Sequence, residues 1–288
     1  MIDRGIILAG GYGTRLSPLT KVTNKQLLPL YDKPLIYYPL SVLMLAGIKK
    51  ILVIVNPEEA NTYRKLLGNG SRLGINIIYK EQKKPSGLPE AFLIGEEFIN
   101  KNGVALILGD NFFYGQGLAL RLKQSLKKNK GSTIFLYPVK NPSQYGVVEL
   151  TNKNRVNKIS EKPKKPKSNL AITGLYLFDN KVVNFSKKLK PSKRNELEIT
   201  DLIKRYKKIK SLKIEHIGRG GSWLDTGTAK DLFDASLFVS TIEKRQGLKI
   251  ACIEEIALRN KWIKKGSIIK SIKFYGNCDY SNYLKKLV

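Results

Sequence analysis

The sequence predicts an α/β protein: a mostly parallel mixed sheet with helices on both faces, followed by a small, mainly helical C-terminal appendage. Three observations carry that expectation. Short, continuous apolar runs alternate with segments of helical period through the first half, the pattern of strands buried on both faces. A glycine-rich loop follows the first of those runs, at what would be the carboxyl edge of such a sheet. After Gln144 the alternation gives way to successive strand-like runs with few helices between them.

Taken in order, residues 5–8 form the first strand. Residues 34–46 read as a helix, with Pro39 an internal irregularity and Gly47 the stop. The run I-L-V-I-V at 51–55 is a buried strand, 57–67 a helix and 75–79 a third strand. A helix over 89–98 starts at Pro89, a residue suited to a first turn. The fourth strand, 104–108, runs into Gly109-Asp110-Asn111; a helix over 118–127 and a strand over 133–139 follow. Strands are expected at 146–150, 155–160 and 171–178, then a helix at 198–206 and a strand at 213–217. A glycine-rich turn at 218–221 precedes Trp223-Leu224-Asp225, and Leu232, Ala235, Phe238, Val239 and Ile242 give 228–243 a helical period.

Composition narrows the chemistry. The chain has 288 residues, two cysteines and one histidine. That excludes a disulfide framework and a cysteine–histidine zinc site. Any nucleophile–histidine mechanism would need His216, which sits in the alternating stretch I-E-H-I-G and reads as a satisfied structural histidine. Carboxylates, lysines, arginines and a metal are left to carry the reaction. No apolar run approaches the length of a membrane span, and the chain opens directly on a strand, so a cytoplasmic protein is expected. The net charge of +29 could mark a nucleic-acid binder. The lysines are spread along the chain, and their denser runs at 162–167, 187–194 and 204–210 lack interleaved aromatics except Tyr206. We read the excess as solvated surface that attracts phosphorylated ligands, with no specific nucleic acid and no membrane as partner.

The stretch that organises the rest is L-A-G-G-Y-G-T-R-L-S-P-L-T-K-V-T-N-K, residues 8–25. Gly10, Gly11 and Gly13 let backbone N–H groups close on phosphate oxygens. Thr14 follows; Arg15 adds a planar fork and Lys25 a point charge. The spacing is neither a dinucleotide fingerprint, because position 16 is leucine, nor a Walker loop, because no G-K-[ST] triplet follows. Two aspartates, Asp110 at a strand's end and Asp225 in W-L-D-T-G-T, could hold a magnesium ion between them and bound phosphates. Spacing alone leaves Asp225 open between that role and a helix cap.

With L-A-G-G-Y-G-T-R-L come N-K-Q-L-L-P-L-Y-D-K-P-L-I-Y-Y-P-L, Y-G-V-V-E at 145–149, E-K-P at 161–163, T-G-L-Y at 173–176, E-L-E-I-T-D at 196–201 and W-L-D-T-G-T at 223–228. In register from about residue 4 to the C-terminus, this set resembles the sugar nucleotidyltransferases, and within them the thymidylyltransferases that act on glucose 1-phosphate. The resemblance implies a Rossmann-like sheet and an Mg²⁺-dependent condensation of dTTP with glucose 1-phosphate. The products would be dTDP-glucose, a precursor of deoxysugars such as rhamnose, and pyrophosphate. Residues 1–245 would form the nucleotidyltransferase domain, with a nucleotide half to about 140 and a sugar half from 141; residues 246–288 would be the appendage, placed in the contacts of a homotetramer.

The resemblance also distributes roles. Gly10, Gly11, Gly13, Thr14, Arg15, Lys25 and Asp110 would serve the nucleotide phosphates, and Gln82, Gly87 and Leu88 the base, an amide suiting a pyrimidine edge. Lys162 would hold the sugar phosphate, with Glu161, Asn111, Tyr145, Gly146, Ile172, Thr173 and Gly174 around the sugar. Arg15, Lys25, Asp110 and Lys162 would be catalytic, and Asp110 and Asp225 the metal ligands. A regulatory nucleotide site would lie near Gly115, Gly218-Arg219 and residues 251–259. The largest departure is K-P-S-G-L-P-E-A at 84–91, where the family runs S-P-D-G-L-A-Q-A; Pro89 and Glu90 stand for alanine and glutamine and leave a UTP-using enzyme, or one for another hexose 1-phosphate, as alternatives. A silent nucleotide-sugar sensor is disfavoured because every charged residue assigned a role is present.

Overall fold

The computed structural model describes residues 2–288. In chain order its elements are β1 (Ile2–Ala9), β2 (Pro29–Leu30), β3 (Lys33–Pro34), α1 (Tyr37–Leu45), β4 (Lys50–Val55), α2 (Ala60–Leu67), β5 (Asn76–Glu81), α3 (Glu90–Ile94), α4 (Glu96–Ile99) and β6 (Gly103–Leu108). There follow β7 (Asn111–Gly115), α5 (Leu118–Lys128), β8 (Ser132–Pro138), β9 (Gly146–Leu150), β10 (Val156–Glu161), β11 (Leu170–Phe178), α6 (Lys181–Lys187), α7 (Ile199–Lys208), β12 (Leu212–His216), β13 (Gly221–Asp225) and α8 (Ala229–Gln246). Three helices, α9 (Ile253–Arg259), α10 (Lys265–Tyr275) and α11 (Asp279–Lys285), end the chain.

The main sheet has nine strands in the order β10-β9-β11-β6-β1-β4-β5, with β8 on the far edge of β11 and β12 outside β8. Pairs β6-β1, β1-β4, β4-β5 and β8-β12 are parallel, and only β11 and β10 run against the rest. Side chains of the central strands alternate between two cores, as the pleat requires. Ile7, Ile51, Val53, Ala105 and Ile107 face α1, α2, α5 and the C-terminal helices; Ile6, Leu8, Leu52, Ile54 and Leu106 face α3, α6 and α7. A third core joins Leu30, Leu35, Tyr38 and Phe112 to Leu232, Ala235 and Val239 of α8.

One detail of topology makes the site. β11 meets β8 along one edge, since Ala171 and Tyr176 pair with Tyr137 and Ile134. Its other edge is shared: Ala171 pairs with Val147 of β9, while Leu175 to Phe178 pair with β6. Between them the sheet splits, and the β11–β8 ladder also breaks between Ile172 and Tyr176.

The structure corrects several sequence expectations. Pro39 is the third residue of α1, where its missing N–H is one the first turn leaves unpaired anyway; residues 33–34 belong to a hairpin with β2. The helix expected over 89–98 is two short helices meeting at Gly95, where a Cβ would stand 2.9 Å from the Ala91 carbonyl and 3.0 Å from Ile6. α6 was not anticipated. Nor was the ribbon in which β7 pairs antiparallel with β13, setting Asn111 opposite Asp225. His216 is exposed on the edge strand β12 rather than buried and satisfied.

The last three helices share the core of the sheet's first face. Glu254 of α9 is fully buried and accepts hydrogen bonds from Tyr275 Oη at 2.7 Å and Tyr280 Oη at 2.6 Å; Tyr275 reaches Tyr37 of α1 at 2.9 Å. Glu254→Ala leaves two buried hydroxyls short of an acceptor. It is expected to lower the unfolding free energy by about 2–5 kcal/mol, measured by urea denaturation; a change under about 1 kcal/mol would show that the network does not tie the C-terminal helices to α1.

Candidate active site

The split in the sheet opens a cleft of about 350 Å³ at the carboxyl ends of β1 and β6. From the first half of the chain come Gly11, Arg15, Lys25, Gln82, Gly87, Leu88, Asp110 and Asn111. From the second come Tyr145, Gly146, Glu161, Lys162, Ile172, Gly174 and Asp225. Four of the anticipated residues do not reach the lining. Gly13 sits behind it with φ +63°, against Lys25 and Thr20, so it shapes the loop that delivers Lys25. Gly10 lies beside the Gln82 carboxamide. Thr14 is exposed at the start of a 3₁₀ turn over Thr14–Leu16, and Thr173 is buried within β11 with its hydroxyl unpartnered.

Asp110 follows β6 directly, and its neighbourhood is over-determined. Lys25 Nζ forms an ion pair with its carboxylate, and Asn111 Nδ2 donates to Asp110 Oδ1 at 2.8 Å. The Asn111 carbonyl in turn accepts from Gly174 N at 3.0 Å and Trp223 Nε1 at 2.5 Å. One amide therefore links β7, β11 and β13 at the split, and keeps a single Nδ2 hydrogen for a ligand. The Asp110 carbonyl accepts from Thr226 N at 3.1 Å and Thr226 Oγ1 at 2.8 Å.

Asp225 closes β13 beside this group. Thr228, not Asp225, caps α8, its hydroxyl accepting from Asp231 N at 3.2 Å, so the helix-cap alternative for Asp225 is removed. Burial, and next the Asp110 charge, push the Asp225 carboxyl up to about 7, against the pull of Lys25 and Arg15. Burial would raise Asp110 too, but Lys25 and then Asn111 hold it below the usual carboxylate range. The Arg15 guanidinium lies against Gly227, where a Cβ would meet Nη2 at 2.8 Å and Asp225 Oδ1 at 3.2 Å. Two half-buried carboxylates of like charge sharing one corner are a donor set that fits a divalent cation. Among the described residues no three histidine, cysteine, aspartate or glutamate side chains come together, so any such ion takes its remaining oxygens from ligand and water.

On the opposite wall, Glu161 ends β10 and its carboxyl is raised by burial and by Glu198, partly offset by Lys162. Lys162 carries φ +41°, and its N–H bonds the Tyr145 carbonyl at 3.0 Å. The Tyr145 ring stands edge-on to Trp223 at 5.2 Å between centroids. Arg194 carries no motif of its own in the sequence. It lines the cleft, donates to Glu198 Oε2 at 2.6 Å and Oε1 at 3.1 Å, and reaches Glu161 Oε1 at 3.4 Å. In the sequence it was one more cation in a lysine-rich run; its distinguishing signal was Glu198 four residues on. Thr200, also lining the cleft, is buried beside Glu161.

A doubly covered sheet whose carboxyl edge gathers cations and paired carboxylates around one cleft is an architecture for phosphorylated ligands. The chain belongs to the nucleotidyl transferase family, whose model matches residues 4–242. It is more narrowly similar to glucose-1-phosphate thymidylyltransferases: it is 52% identical over 285 residues to that of Neisseria meningitidis, covering 99% of each chain, and 50% identical over 285 residues to that of Mycolicibacterium smegmatis, again covering 99% of each. Among solved structures, one described as a glucose-1-phosphate thymidylyltransferase of Bacillus anthracis in complex with sucrose superposes with a TM-score of 0.75 at 39% identity, over 82% of this chain and 94% of that one. A UDP-glucose pyrophosphorylase complexed with UDP-glucose gives 0.73 at 26% identity, over 85% and 100%.

A left-handed backbone at a lysine is strained by about 1 kcal/mol or more. Lys162→Gly is expected to leave unfolding free energy unchanged or raise it by about 1 kcal/mol in chemical denaturation. A loss larger than that would show that the backbone at 162 is relaxed.

Proposed function

We propose that this chain joins dTTP to α-D-glucose 1-phosphate, giving dTDP-glucose and pyrophosphate by in-line attack of the sugar phosphate on the α-phosphorus. The observation that carries the reading is the single cleft that receives Arg15, Lys25 and Asp110 from one half of the chain and Lys162, Arg194 and Asp225 from the other, in a chain about half identical to thymidylyltransferases over its full length. The 26% identity to a UDP-glucose pyrophosphorylase makes UTP use the weaker reading.

The difficulty of the reaction is electrostatic. Like unit charges about 4 Å apart repel by about 4 kcal/mol at an effective dielectric near 20, and two phosphorylated reactants must come closer than that. Arg15 and Lys25 neutralise the triphosphate and the departing pyrophosphate; Lys162 fixes the attacking phosphate. Asp110 and Asp225 would hold Mg²⁺, which when bound screens phosphate charge as pyrophosphate leaves. Asn111, tied to Gly174 and Trp223, keeps Asp110 in place. Glu161 and Tyr145 face the sugar. On the same reading the product supplies dTDP-deoxysugar synthesis, rhamnose included, in the cytoplasm, and the working form is a homotetramer. No helix of the described residues is long and apolar enough to cross a membrane.

Pyrophosphate release with glucose 1-phosphate and each triphosphate in turn tests the reaction. Turnover should be fastest with dTTP and Mg²⁺ and be lost in chelator; no turnover with dTTP sinks the proposal. Lys162→Ala is expected to raise KM for glucose 1-phosphate by about tenfold or more and KM for dTTP far less, a charge-assisted contact being worth about 1.5–3 kcal/mol. Arg15→Ala should do the reverse. Equal effects on both KM values would contradict the separate roles.

A further inference from the structure

Glu90 is where this chain departs from the family pattern, and the structure shows what the carboxylate touches. Gln82 Nε2 donates to Glu90 Oε2 at 2.6 Å, and Ser86 N donates to the same oxygen at 3.2 Å. Gln82 is buried yet lines the cleft. Its Oε1 lies beside Gly10, close enough that a Cβ there would stand 2.5 Å away. Any side chain at residue 10 would therefore displace the carboxamide. Pro89, packed in the interior beside Glu90, stiffens the segment that carries the carboxylate.

An ionised carboxylate only accepts hydrogen bonds. A carboxamide beside it has one stable orientation, with nitrogen toward the carboxylate and oxygen away. Turning the amide over would set two oxygens against each other. A glutamine at position 90 imposes no such rule, because it offers an acceptor on one side and a donor on the other.

We propose that Glu90 is a specificity-determining positioning residue for the nucleobase. By locking the Gln82 carboxamide it presents Oε1 to the base, so that the cleft accepts a pyrimidine carrying an imino N–H, thymine or uracil, and rejects cytosine, whose N3 is an acceptor. The second Nε2 hydrogen remains for a neighbouring base carbonyl. Glu90 touches no substrate itself; it acts through Gln82. The inference rests on the reaction proposed above and names the part of the site that chooses the base.

The test is the ratio of kcat/KM for dTTP over dCTP, with glucose 1-phosphate as second substrate, in wild type and variants. Glu90→Leu is expected to narrow the ratio by about tenfold or more, a well-made base contact being worth about that factor. It should raise KM for dTTP and leave KM for glucose 1-phosphate within about twofold. Glu90→Gln, which can still accept but can also turn, should narrow the ratio about threefold and restore most dTTP turnover. In a Gln82→Ala background neither substitution should change the ratio further, because the residue through which Glu90 works is gone. An unchanged ratio in Glu90→Gln, or a change that persists in Gln82→Ala, overturns the proposal even if Glu90→Leu does not fold. Wild-type enzyme that fails to use dTTP at all overturns the reaction and this inference with it; wild-type turnover with no effect of residue 90 on the ratio overturns the inference alone.

Discussion

Two half-buried carboxylates in one corner repel each other, and the placement of Asp110 and Asp225 is the constraint around which the rest of the molecule is arranged. Either alone in a dry cleft would take up a proton. Together, with Lys25 against one and Arg15 near the other, one is held below the usual carboxylate range and the other is pushed up to about 7, a repulsion that a divalent cation would relieve. The β7–β13 ribbon exists at this point to hold the arrangement: Asn111 faces Asp225 across the ladder, and Thr226 bonds back to the Asp110 carbonyl twice. The aromatic residues of β7 bury the ribbon, Phe112 packing on Tyr38 and Phe238, so the carboxylates sit on a rigid mount.

The cleft is equally a consequence of sheet geometry. β6 brings Asp110 and β9–β10 bring Glu161 and Lys162, and both groups of strands share one edge of β11. Because the β6 and β9 pairings do not meet, the sheet has a gap at Ile172 to Gly174, and Asn111 stitches its floor through Gly174. A continuous sheet would have put the sugar-side cations beside the nucleotide-side ones with no room for a ligand between. The third core, under α8 and the β2–β3 hairpin, supports the loop that carries Arg15 and Lys25 from below.

Much of this was legible in residue order, for physical reasons that differ by element. The parallel strands read clearly because burial on both faces leaves unbroken apolar runs such as I-L-V-I-V, and the glycine loop because few other contexts need three glycines followed by arginine and lysine. The β7–β13 ribbon did not. N-F-F-Y-G is too short and too mixed to separate from a loop, and its partner lies over a hundred residues away. Nor could order alone show that Asn111 has its amide engaged within the protein, that Thr173 points into the core, or that Arg194 is the member of a lysine-rich run that turns into the cleft. Those facts depend on register and on which edge of β11 pairs with what. The broken helix at Gly95 came from packing against Ile6, a tertiary demand that overrides local periodicity.

Some departures from local rules fall at the cleft. Lys162 holds a left-handed backbone, and Glu161 and Glu198 crowd Arg194 and each other. The two faces of the sheet are filled chiefly by Ile, Leu and Val. Features that each cost stability persist only where the surrounding fold over-determines them, and β11, β10 and the Asn111 junction supply that support. A bound sugar phosphate would meet Lys162, a lysine held in a left-handed backbone at the gap. Binding energy gained at the cleft's cations can be directed to bringing two like-charged reactants together.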